Sequence, residues 1–295
     1  MWTDESYRQE LVSILQQRKL QPLFQPVLDF NSGHIQGYEA LIRGPSDSAL
    51  HSPLLLFKTA QTFDLLEPLE LLCRQLSIQA FADSDAPGQL FLNVNPMLLL
   101  TSDHPSGLTK SYIQQAGLAP ERIVIELSEQ FQVEDTELFV SAVKHYREFG
   151  FQIAIDDLGS GFSGLKLWSE LKPDLIKIDR YFISQVHADP TKKEFVRSII
   201  ALAKSTGSAV VAEGIETSEE LITCKELGAD FGQGYLLGRP DVRLKYDALQ
   251  LAQLLRTMVD HRVQVDALPA TELSGFQLQL DMTDTLIIAI SQSGT

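Results

Sequence analysis

Residues 151–161 read Phe151-Gln-Ile-Ala-Ile-Asp156-Asp157-Leu-Gly-Ser-Gly161. An apolar run of this length, opening into a glycine-rich turn, reads as a buried strand. Folding alone does not explain two adjacent acids at its exit. The same grammar recurs in Arg122-Ile-Val-Ile-Glu126, in Ala209-Val-Val-Ala-Glu213 and, with an amide, in Leu90-Phe-Leu-Asn93. Acids converging from several strand ends repel one another unless a cation lies among them. The repeat therefore points to a metal site.

Working outward, strands are expected at Leu90–Val94, Ile123–Leu127, Phe151–Ile155, Leu175–Ile178, Ala209–Ala212 and Asp230–Tyr235, with helical periodicity between them. The helices fall at Ser106–Ala116, Asp135–Phe149 (Leu138, Val143 and Tyr146 inward), Phe162–Leu171 and Lys192–Lys204. Another is opened by Thr217-Ser-Glu-Glu220, which has capping-box spacing, and is stopped by Gly228. Ahead of this alternation lie a helix over 4–19, a strand pair at Pro22–Asp29 and Ile35–Arg43 turned by Asn31-Ser-Gly33, and a helical stretch Leu54–Ala82 broken near Glu67-Pro68. Strand–helix alternation implies a parallel sheet with helices outside. About eight units in roughly 240 residues favour a closed (β/α)8 barrel, an α/β fold. The polar strand exits 93, 126, 156, 177, 213 and 233 lie about 28 residues apart on average, near one barrel unit per step. A doubly wound sheet would gather its functional residues at one switch point instead.

The chain has 295 residues, is 44% hydrophobic and carries a formal charge of −15. That composition supports a sizeable core and excludes a disordered chain. A surface of that sign does not favour nucleic acid backbones, so no DNA partner is expected, nor anionic membranes. Taken over the whole surface, the acidity reads as keeping the protein soluble. Cys73 and Cys224 are too few for a disulfide framework and read as buried small side chains. No signal peptide and no apolar run of about 18–20 residues is visible, so no membrane insertion is expected and the simplest placement is the cytoplasm. Residues 243–295 read as an extension of the 1–242 barrel or a connector to a further domain, with an amphipathic helix at Leu244–Val259 and a strand near Thr285–Ile290.

In a barrel, residues at the C-terminal strand ends meet in one bowl. Asn93, Glu126, Asp156, Asp157 and Glu213 would line it, offering hard oxygen ligands suited to Mg²⁺ or Mn²⁺. Neighbouring side chains cannot both point inward along a regular strand. A bend at the exit would let Asp156 bridge two metals while Asp157 reaches the second. Lys177 would either steady an attacking hydroxide or a phosphate, or form a structural ion pair under the barrel mouth. Arg43 suits a phosphate or a guanine edge, or a surface salt bridge.

These residues fall into an ordered series. Phe24-Gln-Pro-Val27, Glu39-Ala-Leu-Ile-Arg43, Leu92-Asn93-Val-Asn-Pro96, Glu126-Leu-Ser-Glu129 and Asp156-Asp-Leu-Gly-Ser-Gly-Phe-Ser163 come first. Lys177-Ile-Asp179, Ala212-Glu-Gly-Ile-Glu-Thr217 and Gln233-Gly-Tyr-Leu-Leu-Gly-Arg-Pro240 complete it. The series resembles the EAL-domain cyclic-di-GMP phosphodiesterases over about residues 5–242. The resemblance implies a (β/α)8 barrel with an irregular first strand that hydrolyses cyclic di-GMP to linear pGpG. It implies two Mg²⁺ or Mn²⁺ per active site: Glu39, Asn93, Glu126 and Asp156 hold one, and Asp156, Asp157 and Glu213 the other. Lys177 would contact the nucleophilic water, with Glu213 as candidate base and Glu39 essential to turnover. Gln25, Arg43 and Gln233 would lie along the substrate, with Asp179 and Glu216 as supports. Glu129 would anchor the Asp157–Ser163 loop, which in the family ties metal binding to homodimerisation. A sensory or regulatory domain is a further expected partner. Leu158, Ser160, Phe162 and Gly164 replace the commoner Phe, Thr, Tyr and Ser, and Asn95 stands where Ser is usual. The alternative to an enzyme is a receptor that binds cyclic di-GMP without cleaving it.

Overall fold

The computed structural model describes residues 4–95, 108–128, 136–159 and 164–244. Within them the alternating pattern closes on itself. Strands β1 (Gln21–Asp29), β2 (Ile35–Arg43), β3 (Gln89–Asn93), β4 (Ile123–Ser128), β5 (Gln152–Leu158), β6 (Leu175–Ile178), β7 (Ala209–Ala212) and β8 (Phe231–Gly232) form a closed barrel in sequence order. β1 runs antiparallel to β2 and β8, whereas the other neighbouring pairs are parallel. The cause is local. Asp29 Oδ1 accepts the backbone N–H groups of Asn31 (2.7 Å) and Ser32 (3.0 Å), and Gly33 takes φ +69°. That turn sends the chain straight back into β2 with no crossover helix.

Helices α1 (Asp4–Gln17), α2 (Pro53–Thr62), α3 (Leu66–Asp83), α4 (Leu108–Gln115), α5 (Thr136–Glu148), α6 (Gly164–Leu171), α7 (Arg180–Ile183), α8 (Pro190–Thr206) and α9 (Ser218–Leu227) complete the described elements. Strand residues pointing outward, such as Leu90, Ile125, Ile153 and Ile176, join side chains from the helices in the main core. Those pointing inward form a separate buried plug of Val27, Phe91, Val124, Ala154, Leu175 and Val211. Side chains on a strand return to the same face every second residue. Two positions beyond Phe91, Val124, Ala154, Leu175 and Val211 stand Asn93, Glu126, Asp156, Lys177 and Glu213. The apolar plug thus places a polar layer directly above itself.

Several boundaries differ from the sequence reading, each for a local reason. The break between α2 and α3 falls at Asp64 (φ +54°), ahead of Pro68, because a proline in the first turn of a helix removes no intrahelical bond. In α5 the inward residues are Phe139, Val143 and Tyr146. Leu138 is 48% exposed, one position off that i, i+4, i+7 row. α8 begins earlier than expected, at Pro190, where Asp189 caps the N–H groups of Thr191 and Lys192. β8 is only two residues long because the chain turns at Gly234, where a Cβ would strike the backbone of Ile215. The expected capping box is present: Thr217 accepts from Glu220 N and Glu220 accepts from Thr217 N. Both cysteines are buried and free. No helix among the described residues is long and apolar enough to cross a membrane. The expected elements beyond residue 244, and the segments that include Glu129 and Phe162–Ser163, lie outside the described residues.

Candidate active site

Lys177 projects from β6 into the centre of the polar layer and is 1% exposed. Its Nζ meets four carboxylates: Glu126 Oε1 at 2.6 Å, Glu213 Oε1 at 2.8 Å, Asp156 Oδ1 at 3.1 Å and Glu39 Oε2 at 3.2 Å. One ammonium facing four acids leaves the ring short of positive charge. Burial disfavours the lysine's charged form, but the acids outweigh it and its pKa lies well above the ordinary value. Burial lifts the carboxyls of Glu126 and Glu213 well above the usual range, with neighbouring acids adding to it and Lys177 opposing. Asp156 is raised for the same reasons.

Glu39 is the exception. Burial pushes it upward, yet the Lys177 charge and three hydrogen bonds hold it below the ordinary value. Two of these come from Gln233 Nε2 (2.6 Å) and Asn93 Nδ2 (2.9 Å), and the third from Lys177. Gln25 joins the same network. Its Oε1 accepts from Gln233 Nε2 (3.3 Å) and its Nε2 donates to Gly238 O (3.0 Å). Both glutamines are buried; Gln233 orients the Glu39 carboxylate directly, and Gln25 holds Gln233 in place.

The backbone bends at the tandem acids. The β5–β6 register shifts between Ile155 and Leu158, and Asp157 takes φ +57°. Left-handed backbone is open to Asp at modest strain. The bend turns both acids to one side, where Asp156, Asp157 and Glu213 bring carboxylate oxygens within 4.8 Å of one another. Burial, followed by the charges of Asp156 and Asp179, pushes the Asp157 pKa up to about 6. Glu126 Oε2 is buried with no hydrogen-bond donor among the described residues. A buried, partnerless carboxylate oxygen beside three other acids is what a hard divalent cation would satisfy. The donor set therefore fits Mg²⁺ or Mn²⁺.

A cleft of ≈ 240 Å³ opens above Glu39, Asp157 and Glu213. Gln25, Gln233, Asp179 and Glu216 also line it, together with Arg180 and Tyr235, which the sequence reading missed. Asp179 caps the short α7 by accepting Tyr181 N (2.8 Å), and this places Arg180 at the cleft wall. There Arg180 Nη2 meets Glu216 Oε1 at 2.8 Å. Its stem packs over Gly214 (φ +68°), where a Cβ would overlap it. The adjacency of Asp179 and Arg180 was the available signal, but without the cap nothing says which way the arginine turns. Tyr235 stacks under the Arg239 guanidinium, 4.2 Å from its ring centre. Arg43 is not among the residues lining the cleft, and its Nη1 folds back onto Ile42 O (3.1 Å).

A barrel whose strand exits carry this acid ring is a defined class of α/β protein, and comparison with known proteins identifies it. The EAL domain family pattern matches residues 5–240, and the chain belongs to that family. It is 31% identical over 239 residues to the probable cyclic di-GMP phosphodiesterase PdeB of Escherichia coli K12, covering 80% of this chain and 45% of that protein. The chain spans less than half the length of the curated relatives it matches first. Among solved structures, a standalone EAL protein from Vibrio cholerae O395 in its c-di-GMP bound form superposes with a TM-score of 0.71 at 26% identity, covering 79% of this chain and 97% of that one. The manganese/cy-diGMP complex of Klebsiella pneumoniae BlrP1 gives 0.70 at 29% identity, covering 76% and 56%.

Proposed function

We propose that the protein hydrolyses cyclic di-GMP to linear pGpG at the cleft above Lys177. The observation that carries this reading is the acid ring itself, with a buried Glu126 oxygen that lacks a donor among the described residues. Glu39, Asn93, Glu126 and Asp156 would hold one divalent ion, and Asp156, Asp157 and Glu213 a second. Such ions supply Lewis-acid activation of water and offset the phosphate charge that a −15 protein would otherwise repel. Glu213 would take the proton from the attacking water. Lys177 Nζ, 2.8 Å from Glu213, donates a hydrogen bond to the developing hydroxide. The water oxygen bonds to phosphorus as the bond from phosphorus to the ribose 3′ oxygen breaks, and that oxygen leaves as a hydroxyl with a proton from solvent. Arg180, at the cleft wall, would meet a phosphate; Arg43, the last residue of β2, would reach the substrate only by leaving Ile42 O. The homodimer, the cytoplasmic location, the sensory partner and the 1–242 and 243–295 division rest on the family resemblance and the sequence pattern.

The test is incubation of the purified chain with cyclic di-GMP and Mn²⁺, with product read by chromatography. The expected product is pGpG, lost on chelation and lowered at least about 10³-fold by Glu39→Ala. Tight nucleotide binding with no product would make the barrel a receptor and sink the enzyme reading.

A further inference from the structure

Glu70 and Arg74 lie one turn apart on α3, 7% and 2% exposed. The chemistry proposed above uses neither. Burying a carboxylate and a guanidinium is unfavourable unless close pairing and further hydrogen bonds offset it. Between them they reach the two ends of one connection. Glu70 Oε2 accepts the backbone N–H of Asn95 at 3.3 Å and lies 3.6 Å from Arg74 Nη2. Arg74 Nη1 donates to Thr109 Oγ1 at 2.9 Å. Asn95 leaves the barrel two residues after Asn93, and Thr109 stands in the first turn of α4.

The geometry of β3 explains why a side chain is needed there. Successive N–H groups of a strand point to opposite neighbours. Val94 N–H reaches Glu126 O on the β4 side at 3.0 Å. Asn95 N–H therefore points to the β2 side, where the β2–β3 pairing has already ended at Ala40 and Leu92. β2 continues to Arg43 against β1 only. Glu70 stands in for the strand that is no longer alongside. Asn95 also turns its side-chain amide to Glu70, and an asparagine here is one of this chain's departures from the usual serine.

We infer that Glu70, backed by Arg74, is a positioning residue for Asn93, fixing the β3 exit so that the Asn93 amide meets both Glu39 and the divalent ion. This rests on the metal reading of the site, and the experiment separates the two. Mn²⁺ alone is titrated calorimetrically into the full chain and into Glu70→Leu, Asn93→Ala and the double variant. Partners that orient a ligand typically set metal affinity by about 10–100-fold. Glu70→Leu is expected to weaken Mn²⁺ binding about tenfold, but less than about twofold once Asn93 is already alanine, because the effect passes through that side chain. Glu70→Gln, which keeps an acceptor for Asn95 N–H, should stay within about threefold of wild type. An equal loss in both backgrounds, or none in either, overturns the role. If Glu70→Leu does not fold, Thr109→Val runs the same cycle with an expected loss of about threefold. Absence of Mn²⁺ binding by the wild type overturns the metal reading itself, and this role with it.

Discussion

Both rims of the barrel carry carboxylates, and the two sets are satisfied in opposite ways. At the N-terminal rim, Asp174 Oδ2 accepts the N–H of Ile153 (2.9 Å) and Asp230 Oδ2 that of Val210 (2.8 Å). Asp29, brought to the same rim by the reversed β1, accepts two turn N–H groups. Each has found backbone donors. At the C-terminal rim, Glu39, Glu126, Asp156 and Glu213 crowd one lysine, and a buried Glu126 oxygen has no donor among the described residues. Residue type is therefore a poor guide to role, and the available donors a better one. Acids that cap strands serve folding. Acids gathered where most donors among the described residues are a few side chains store repulsion that a bound cation relieves.

The comparison breaks most visibly at Lys177. Lys177→Ala leaves four buried acids without their shared cation, and the metal-free protein should lose about 3 kcal/mol, read as a lowered thermal or urea midpoint. Turnover should fall by about two to three orders of magnitude while cyclic di-GMP binding is spared, since the ammonium acts on the attacking water. Equal loss of binding and turnover would make Lys177 structural, like the acids of the other rim. Asp174→Ala asks the converse question. It removes the acceptor for Ile153 N and a partner of Arg147, and should cost about 1–2 kcal/mol with turnover per folded molecule unchanged. A drop in turnover at full folding would mean that the two rims are coupled.

The acid ring was legible before the structure because strand periodicity is strict. An apolar inward residue followed two places later by a polar one identifies the bowl at Asn93, Glu126, Asp156 and Lys177 without any tertiary information. What stayed hidden depends on contacts between distant segments. Glu70 lies on a helix far in sequence from the ends it joins, and nothing local marks its carboxylate as the acceptor for Asn95 N–H. Arg180 turns toward the cleft because Asp179 caps α7 and Gly214 leaves room, a three-residue arrangement assembled from two strand exits. Leu138 was misplaced because a one-position error in helical phase turns a side chain by about 100°. The tandem acids lie between these cases. Their pairing demanded a bend, but only the shifted register and the positive φ at Asp157 say where it falls.

That bend supplies the finest test of the contrast between the rims. Asp157 titrates at about 6 in the folded, metal-free protein, because of burial and then of the Asp156 and Asp179 charges. In the unfolded chain this carboxyl titrates at about 3.9. A carboxyl whose folded pKa is raised binds its proton more tightly in the native state, so its contribution to stability is present below about pH 4 and is lost as pH rises through about 6. Melting midpoints of metal-free wild type and Asp157→Asn should therefore diverge between these values, with the wild type losing stability relative to the variant as pH increases. Asparagine also tolerates left-handed backbone, so the substitution removes the charge and keeps the bend. Added Mn²⁺ should act in the other direction. It needs the carboxylate, so the metal-induced rise in wild-type midpoint should grow across the same window. Parallel profiles for the two proteins would move the titration to other acids of the ring and leave the turn at Asp157 a feature of the backbone alone.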